Sequence, residues 1–516
     1  MRWIRQMPDK LKANPVIKSS AGLLIITLSV KVLGYAEKLI LAKYFGTSYQ
    51  VDVYTVVLTL LLSLFFFFRE IVEPGFLNVF LDNRIKGDES GAWSLFNAGF
   101  RLIFFVTFMI GIVLFFFPGP ITAVFAPGFD GEKLHLSERL IRIISPACIF
   151  LALSTLTSIT LNGLKQFVLP ASGDLVFKVM IIMCMVLFFK NYGITGVAIG
   201  VVAGAAGRLG VHLTKLYQKI SFKRIHTGTE SKRRIWQLTW PLLLGMSFSQ
   251  ISSLVDNIFA SYLQEGAIAA LSYARKIVEL PIVVFPYVLS VVVFPYFSQL
   301  AIEKQKEKLK NMLADALRWL IIAFLPIAIF FFVFASPIVE IILQRGAFNE
   351  HSTLLTSKPL MIYSLGMTFF AIETILVIFY YANADTKTPV LVGIACTTIN
   401  ILLTWIFIQW IGYTGIALAF VIQKTLKNLI LIYLLKHKIS YNLKTGMKVG
   451  IKTIISSIVF SVLIMTTKTS LFPLCRESLF YKAGFLIVSF TVGGFVYLLI
   501  LKKWGLLKIN GNEIGK

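Results

Sequence analysis

The chain has 516 residues, of which 57% are hydrophobic, 14% aromatic and only 15% charged, with 50 Lys+Arg against 25 Asp+Glu. A soluble domain carries about a quarter charged residues, and the apolar runs "LTLLLSLFFFF" and "LIIAFLPIAIFFFVFA" are of membrane-span character. The composition therefore defines an all-α polytopic membrane protein. The basic excess reads as loop topology, because no nucleic-acid motif accompanies it.

The first twenty residues form a basic tail with Arg2, Arg5, Lys10, Lys12 and Lys18, and the apolar segment after it is too long for a signal-peptide core. Windows of about 20 apolar residues predict fourteen spans, at 21–43, 51–80, 94–117, 138–162, 166–189, 192–217, 236–261, 268–299, 312–335, 354–381, 389–409, 412–435, 447–468 and 480–501. Asp174 and Lys178 interrupt the fifth, and Lys358 and Glu373 the tenth. Basic loops follow span six (Lys219, Lys223, Arg224, Lys232, Arg233, Arg234), span eight (Lys304, Lys306, Lys308, Lys310) and span fourteen (Lys502, Lys503), whereas "LQEGA" and "QWIGY" on the other side carry no positive charge. The positive-inside rule then places both termini in the cytoplasm.

An internal repeat organises these spans. "ITGVAIG" at 194–200 returns as "YTGIALA" at 413–419, Pro170 returns as Pro389, and "ILAKY" at 40–44 returns as "IFASY" at 258–262, all at an offset of 218–219. A six-span unit repeated in tandem keeps its orientation, and substrate sites in such proteins lie between the halves. The expected organisation is a cytoplasmic tail (1–20), an N-lobe of spans one to six (21–217), a basic linker (218–235), a C-lobe of spans seven to twelve (236–435), and spans thirteen and fourteen with a cytoplasmic tail (436–516).

Several ionisable residues fall inside spans, where each is costly unless it faces protein or water. Lys31 and Lys38 are two helical turns apart on one face of span one, with Glu37 beside Lys38. Lys43 and Asp52 lie near span ends, where interfacial snorkelling is the plainer reading. In span two, Arg69 and Glu73 stand at the i,i+4 spacing of a helical ion pair, ahead of a Pro74–Gly75 kink. Span eight brings Arg275, Lys276 and Glu279. The excess is cationic in both halves, which suits an anionic substrate such as a pyrophosphate. The four cysteines and five histidines form no disulfide framework or metal cluster, and no Walker A sequence is present.

"VKVLGYAEKLILAKYFGTSYQVDVY", "APGFDGEK" at 126–133, "YARKIVELP" at 273–281, "RGAF" at 345–348 and "DTKTPV" at 385–390 run in order along the chain. Together they resemble the MurJ/MviN lipid II flippases of the multidrug/oligosaccharidyl-lipid/polysaccharide exporter superfamily. The resemblance implies two six-helix lobes plus two terminal helices, and non-enzymatic export of a lipid-linked peptidoglycan precursor across the bacterial cytoplasmic (inner) membrane by a monomer. By the resemblance, the headgroup-binding residues are Lys31, Lys38, Asp52, Arg69, Glu73, Arg275 and Lys276, with Glu37 and Glu279 as charge partners. The chain departs from the family at Glu37, where an arginine is expected. It departs again near Phe65, where the mid-helix-two arginine falls unless a shift brings Arg69 to it. Some members bind sodium between helices seven, eleven and twelve; Asp256, Asp385, Thr397 and Asn400 resemble those positions, Asp385 also reading as a turn residue of "NADTKTP". No cofactor is implied beyond a sodium ion or the membrane potential as coupling. The rearranged cations leave another undecaprenyl-pyrophosphate-linked glycan open as substrate. A cation-coupled drug exporter of the same fold is the further alternative, opposed by the cationic character of the spans.

Overall fold

The structure is a computed structural model, and it describes residues 15–221, 254–439, 443–470 and 479–506. The basic tail 1–14, most of the linker, residues 236–253 of the seventh span, Cys475 and residues 507–516 lie outside the described residues. No strand occurs among the described residues. The chain divides into two compact units, Met1–Ile268 and Ala269–Lys516.

The first unit contains α1 (Pro15–Phe45), α2 (Tyr49–Ile85), α3 (Glu89–Phe116), a short α4 (Pro118–Phe125), α5 (Gly131–Gly163), α6 (Val168–Tyr192) and α7 (Ile194–Leu216), with a further helical stretch at 254–261. α8 (Ala267–Ile302) starts at the unit boundary. The second unit continues with α9 (Lys306–Val333), a short α10 (Ala335–Leu343), α11 (Glu350–Ala382), α12 (Lys387–Ile411), α13 (Thr414–Ile439), α14 (Leu443–Ser470) and α15 (Leu479–Lys503). Among the described residues, eleven helices are long and apolar enough to cross a membrane, and each coincides with one of the fourteen expected spans. α1 and α8 are helical over the first and eighth expected spans.

The repeat is visible in the element order. Helices starting at 49, 89, 118, 131, 168 and 194 recur at 267, 306, 335, 350, 387 and 414, each 217–220 residues later. The repeat extends to the short helices that follow α3 and α9, which window counting left between spans. Their starts are set by local chemistry: Pro118, which is favoured in a first turn, follows Phe117, and α10 follows Phe334 after a similar break. Asp88 caps α3 by accepting the Gly91 N–H, and Asn349 caps α11 by accepting the Ser352 N–H.

The first unit's core is aromatic and aliphatic, built from Phe76, Phe80, Phe96, Phe100, Leu153 and Leu156 on α2, α3 and α5. Outward faces carry exposed Phe105, Phe116, Ile487 and Phe495, the arrangement of a protein whose solvent is lipid. In the second unit, α14 packs on α9 and α15.

The α6–α7 contact decides where buried charge can sit. α7 reads "GVAIGVVAG", and its glycines at 196, 200 and 204 face α6. A Cβ at Gly204 would lie 2.7 Å from the Phe177 carbonyl oxygen, and one at Gly200 would lie 2.9 Å from the Cys184 Cβ. Small residues at this spacing let two backbones approach directly, the main packing device where lipid removes any hydrophobic drive between helices. Gly173 on α6 extends the contact: a Cβ there would lie 2.6 Å from His212 Nε2 and 3.2 Å from Arg208 Cγ.

Candidate functional site

The spans of both units hold charged side chains in paired sets. On α1, Lys31 is exposed and Lys38 half-buried. Glu37 is buried, and its partner comes from another helix: Lys178 Nζ on α6 lies 2.6 Å from Glu37 Oε2. The neighbour in sequence, Lys38, lies on a different side of α1 because adjacent helical residues point about 100° apart. The departure at Glu37 is thus accommodated by Lys178, one of the two charges that interrupt span five.

Asp52 is also buried. Its Oδ2 accepts the Gly266 N–H at 2.6 Å, and nearby the Tyr49 N–H donates to Glu265 Oε1 at 2.9 Å, so the start of α2 grips the segment leading into α8. Arg69 and Glu73 pair at 3.0 Å as their spacing predicts, and both are about half-exposed. In the second unit Glu279 accepts from both Arg275 (3.2 Å) and Lys276 (3.5 Å), and the Arg275 guanidinium lies 4.4 Å from the Phe420 ring centroid.

Of the expected sodium ligands, the three in the second unit are spread along and just before α12. Asp385 sits before α12, where it accepts the Thr388 N–H at 3.0 Å and the Thr388 hydroxyl at 2.7 Å; it is the turn-and-cap residue that its local sequence also suggested. Thr397 and Asn400 lie more than three turns along that helix, about 18 and 22 Å from Asp385 at 1.5 Å per residue. Thr397 Oγ1 accepts from Gln423 at 3.2 Å, and the Lys427 ammonium approaches α12 at Gly393, 3.7 Å from where a Cβ would stand. Asp256 is half-buried in the 254–261 stretch. Among the described residues, no three His, Cys, Asp or Glu side chains converge on a metal-sized point.

Two clusters escaped sequence reasoning. On α11, Glu373 takes Lys427 at 2.6 Å and Lys424 at 2.9 Å, both from α13, leaving a buried group with two cations to one anion. On α6, Asp174 takes Arg208 of α7 at 2.9 Å, with the Arg208 guanidinium 4.9 Å from the Phe65 ring centroid. Arg208 of α7 thus places a cation beside Phe65. The available signal was the pair Lys424/Lys427 at i,i+3 and the lone Arg208, each within an otherwise apolar or Gly/Ala-rich helix. Phe65, Arg69, Glu73, Asp174 and Arg208 line one cavity of about 270 Å3 in the first unit, together with Thr27, Thr155, Ser158 and Asn162. A cavity of about 320 Å3 in the second unit is lined by Lys304, Lys306, Asn383 and Asp385.

A polytopic helical chain built from a tandem repeat, with paired charges rather than a metal or nucleotide motif in its spans, has the architecture of a membrane transporter. Its fold matches an inward-facing multidrug transporter of the MATE family, MOP superfamily, with a TM-score of 0.69 at 14% identity over 81% of this chain and 98% of that one. The match is fuller to a lipid II flippase MurJ in its inward closed conformation, with a TM-score of 0.79 at 25% identity over 93% of this chain and 98% of that one. The family model for the lipid II flippase MurJ matches residues 41–486, and the chain belongs to that family. A probable lipid II flippase MurJ of Buchnera aphidicola subsp. Schizaphis graminum is 27% identical over 96% of this chain and 98% of that relative. The lipid II flippase MurJ of Burkholderia cenocepacia is 24% identical over 78% of this chain and 81% of that relative.

Proposed function

We propose that this chain is a lipid II flippase of the bacterial cytoplasmic membrane, carrying the pyrophosphate-linked headgroup from the inner to the outer leaflet by alternating access. It acts as a transporter and a monomer, with no bond made or broken, and both termini are cytoplasmic. The observation that carries this reading is the membership of the family, matched over residues 41–486, by a chain that keeps cations within its spans in both units. Ammonium and guanidinium groups match phosphate oxygens in charge and in hydrogen-bonding geometry. In this reading Lys31, Lys38 and Lys276 hold the pyrophosphate, and Arg275 supports them. Glu279 keeps Arg275 and Lys276 pointing together. Asp52 acts at one remove, by fixing the segment that leads into α8.

The driving force in this reading is the membrane potential, which acts on a carrier whose spans hold surplus positive charge; about 2.3 kcal/mol is available per elementary charge per 100 mV. A sodium gradient is the second coupling this reading allows, with Asp256, Asp385, Thr397 and Asn400 as its candidate ligands. The deciding experiment is rescue of a conditional flippase-null bacterium, with cellular lipid II measured in parallel. Growth with normal lipid II levels supports the reading. Expression and membrane insertion without rescue, with lipid II still accumulating, would overturn it.

A further inference from the structure

We propose that the cavity bounded by Arg208 and Arg69 is a phosphoryl-binding subsite within the first unit, and that the Asp174 carboxylate is the group the incoming anion displaces. The source of the phosphoryl group rests on the flippase reading above; the anion chemistry does not. Arg208 is the deepest charge in the cavity, with its side chain only 11% exposed. Its guanidinium offers five N–H donors. One edge meets Asp174 at 2.9 Å, one face covers the Phe65 ring, and Nε is buried with no hydrogen-bond partner. A buried donor on a charged group is costly to leave unmatched, so this edge awaits an acceptor.

The surroundings describe that acceptor. Arg69 lines the same cavity from α2, one turn beyond Phe65, so two guanidiniums share the space. Asp174 lies on the wetter side of its pair, 44% exposed against 11% for Arg208, while Arg69 and Glu73 are both about half-exposed. A singly charged carboxylate ligand would gain little by replacing either one. A phosphoryl or pyrophosphoryl group carries more charge and more oxygens, and it can engage both guanidiniums at once. Thr155, Ser158 and Asn162 on α5 supply hydroxyl and carboxamide groups around it. The Gly173 gap is what permits this arrangement: any side chain there would push Arg208 and His212 away from α6.

An ion pair that merely joins α6 to α7 predicts different behaviour from a displaceable one, and the sign of one variant separates them. The purified full-length chain in detergent is titrated calorimetrically with inorganic pyrophosphate, and with undecaprenyl pyrophosphate in mixed micelles. For a subsite, Arg208→Gln weakens binding about tenfold to a hundredfold, and Arg208→Lys weakens it less because the charge remains. Asp174→Asn tightens binding about fivefold, because the competing carboxylate is gone. If Arg208→Gln does not fold, the sign at Asp174→Asn decides alone. Binding of both probes, or of the lipid form alone, supports the subsite when these shifts follow; the second result identifies the lipid as the source. The proposal is overturned if the parent binds neither probe, if Arg208→Gln binds as the parent does, or if Asp174→Asn weakens binding. A parent that binds the lipid probe but fails to rescue flippase-null cells sinks the flippase reading and leaves the subsite standing. A rescuing parent whose Arg208→Gln variant binds and rescues equally well sinks the subsite alone.

Discussion

Glu37 and Lys178 give the clearest test of how this chain tolerates charge at membrane depth. The Glu37 side chain is 3% exposed and Lys178 27% exposed, with 2.6 Å between Nζ and Oε2. Removing one member of a buried pair costs about 3–5 kcal/mol, because the other is left uncompensated. The two single changes should differ. Glu37→Gln strands an ammonium on a long stem, which can reach toward water, so we expect a cost near 3 kcal/mol. Lys178→Met strands a carboxylate on a short stem with no route out, so a cost near 5 kcal/mol is expected. The double variant removes both charges and leaves only a neutral carboxamide unmatched, so it should recover to within about 1–3 kcal/mol of the parent. A double-mutant cycle, measured by reversible unfolding in mixed micelles with thermal stability as a cross-check, gives the coupling directly. Additive losses, with the double variant the least stable of the four, would refute a compensating pair and leave Glu37 without the role assigned to it.

Three further outcomes are expected. Lys31→Ala or Lys276→Ala should abolish rescue of flippase-null cells while the protein still inserts, and arginine at either position should be tolerated better; normal growth of both alanine variants would remove these residues from the headgroup site. Gly204→Ala should destabilise the first unit by about 1–3 kcal/mol, because the new Cβ meets the Phe177 carbonyl oxygen at 2.7 Å; an unchanged melting temperature would mean that α6 and α7 are not in backbone contact. In intact cells, an impermeant thiol reagent should label a cysteine placed at Gln264 and leave one at Lys232 unlabelled; the reverse pattern would invert the topology.

The helices were legible because their signal is carried by composition over twenty or more residues, and no local exception outweighs it. The repeat was legible for a similar reason: "ITGVAIG" and "YTGIALA" mark the same helix start twice, and both starts follow a positive-φ glycine, Gly193 and Gly412. Ion pairs at helical spacing were legible too, since Arg69–Glu73 and Arg275–Glu279 depend on the i,i+4 geometry alone. Pairs between helices were not. Glu37 with Lys178 spans 141 positions, and nothing in either segment encodes the angle at which α1 meets α6. Asp385 shows the opposite limit. Its place in the sequence favoured a turn residue over a sodium ligand, and the Thr388 hydroxyl, three residues on, makes the turn contact.

The two clusters that the sequence hid occupy one repeat position. Arg208 on α7 and Lys427 on α13 stand 219 residues apart, the offset that also relates α6 to α12. Each is a largely buried cation in its unit, and each rises from a helix that opens with small residues. Their acids have been drawn from different helices. In the first unit the partner is Asp174 on α6, whose repeat counterpart is Gly393. In the second it is Glu373 on α11, whose counterpart is Ser154 on α5, bonded to the Leu151 carbonyl. A duplicated ion pair kept only for packing would have been inherited with both members in place, because losing either strands the other. Here the cation position persists while the anion has moved and Lys424 has joined it. The cation is the conserved half of the repeat's internal symmetry, and the acids are the adjustable half. The subsite proposed above predicts this distribution, because there the guanidinium meets the anion and the carboxylate only balances its charge until the anion arrives.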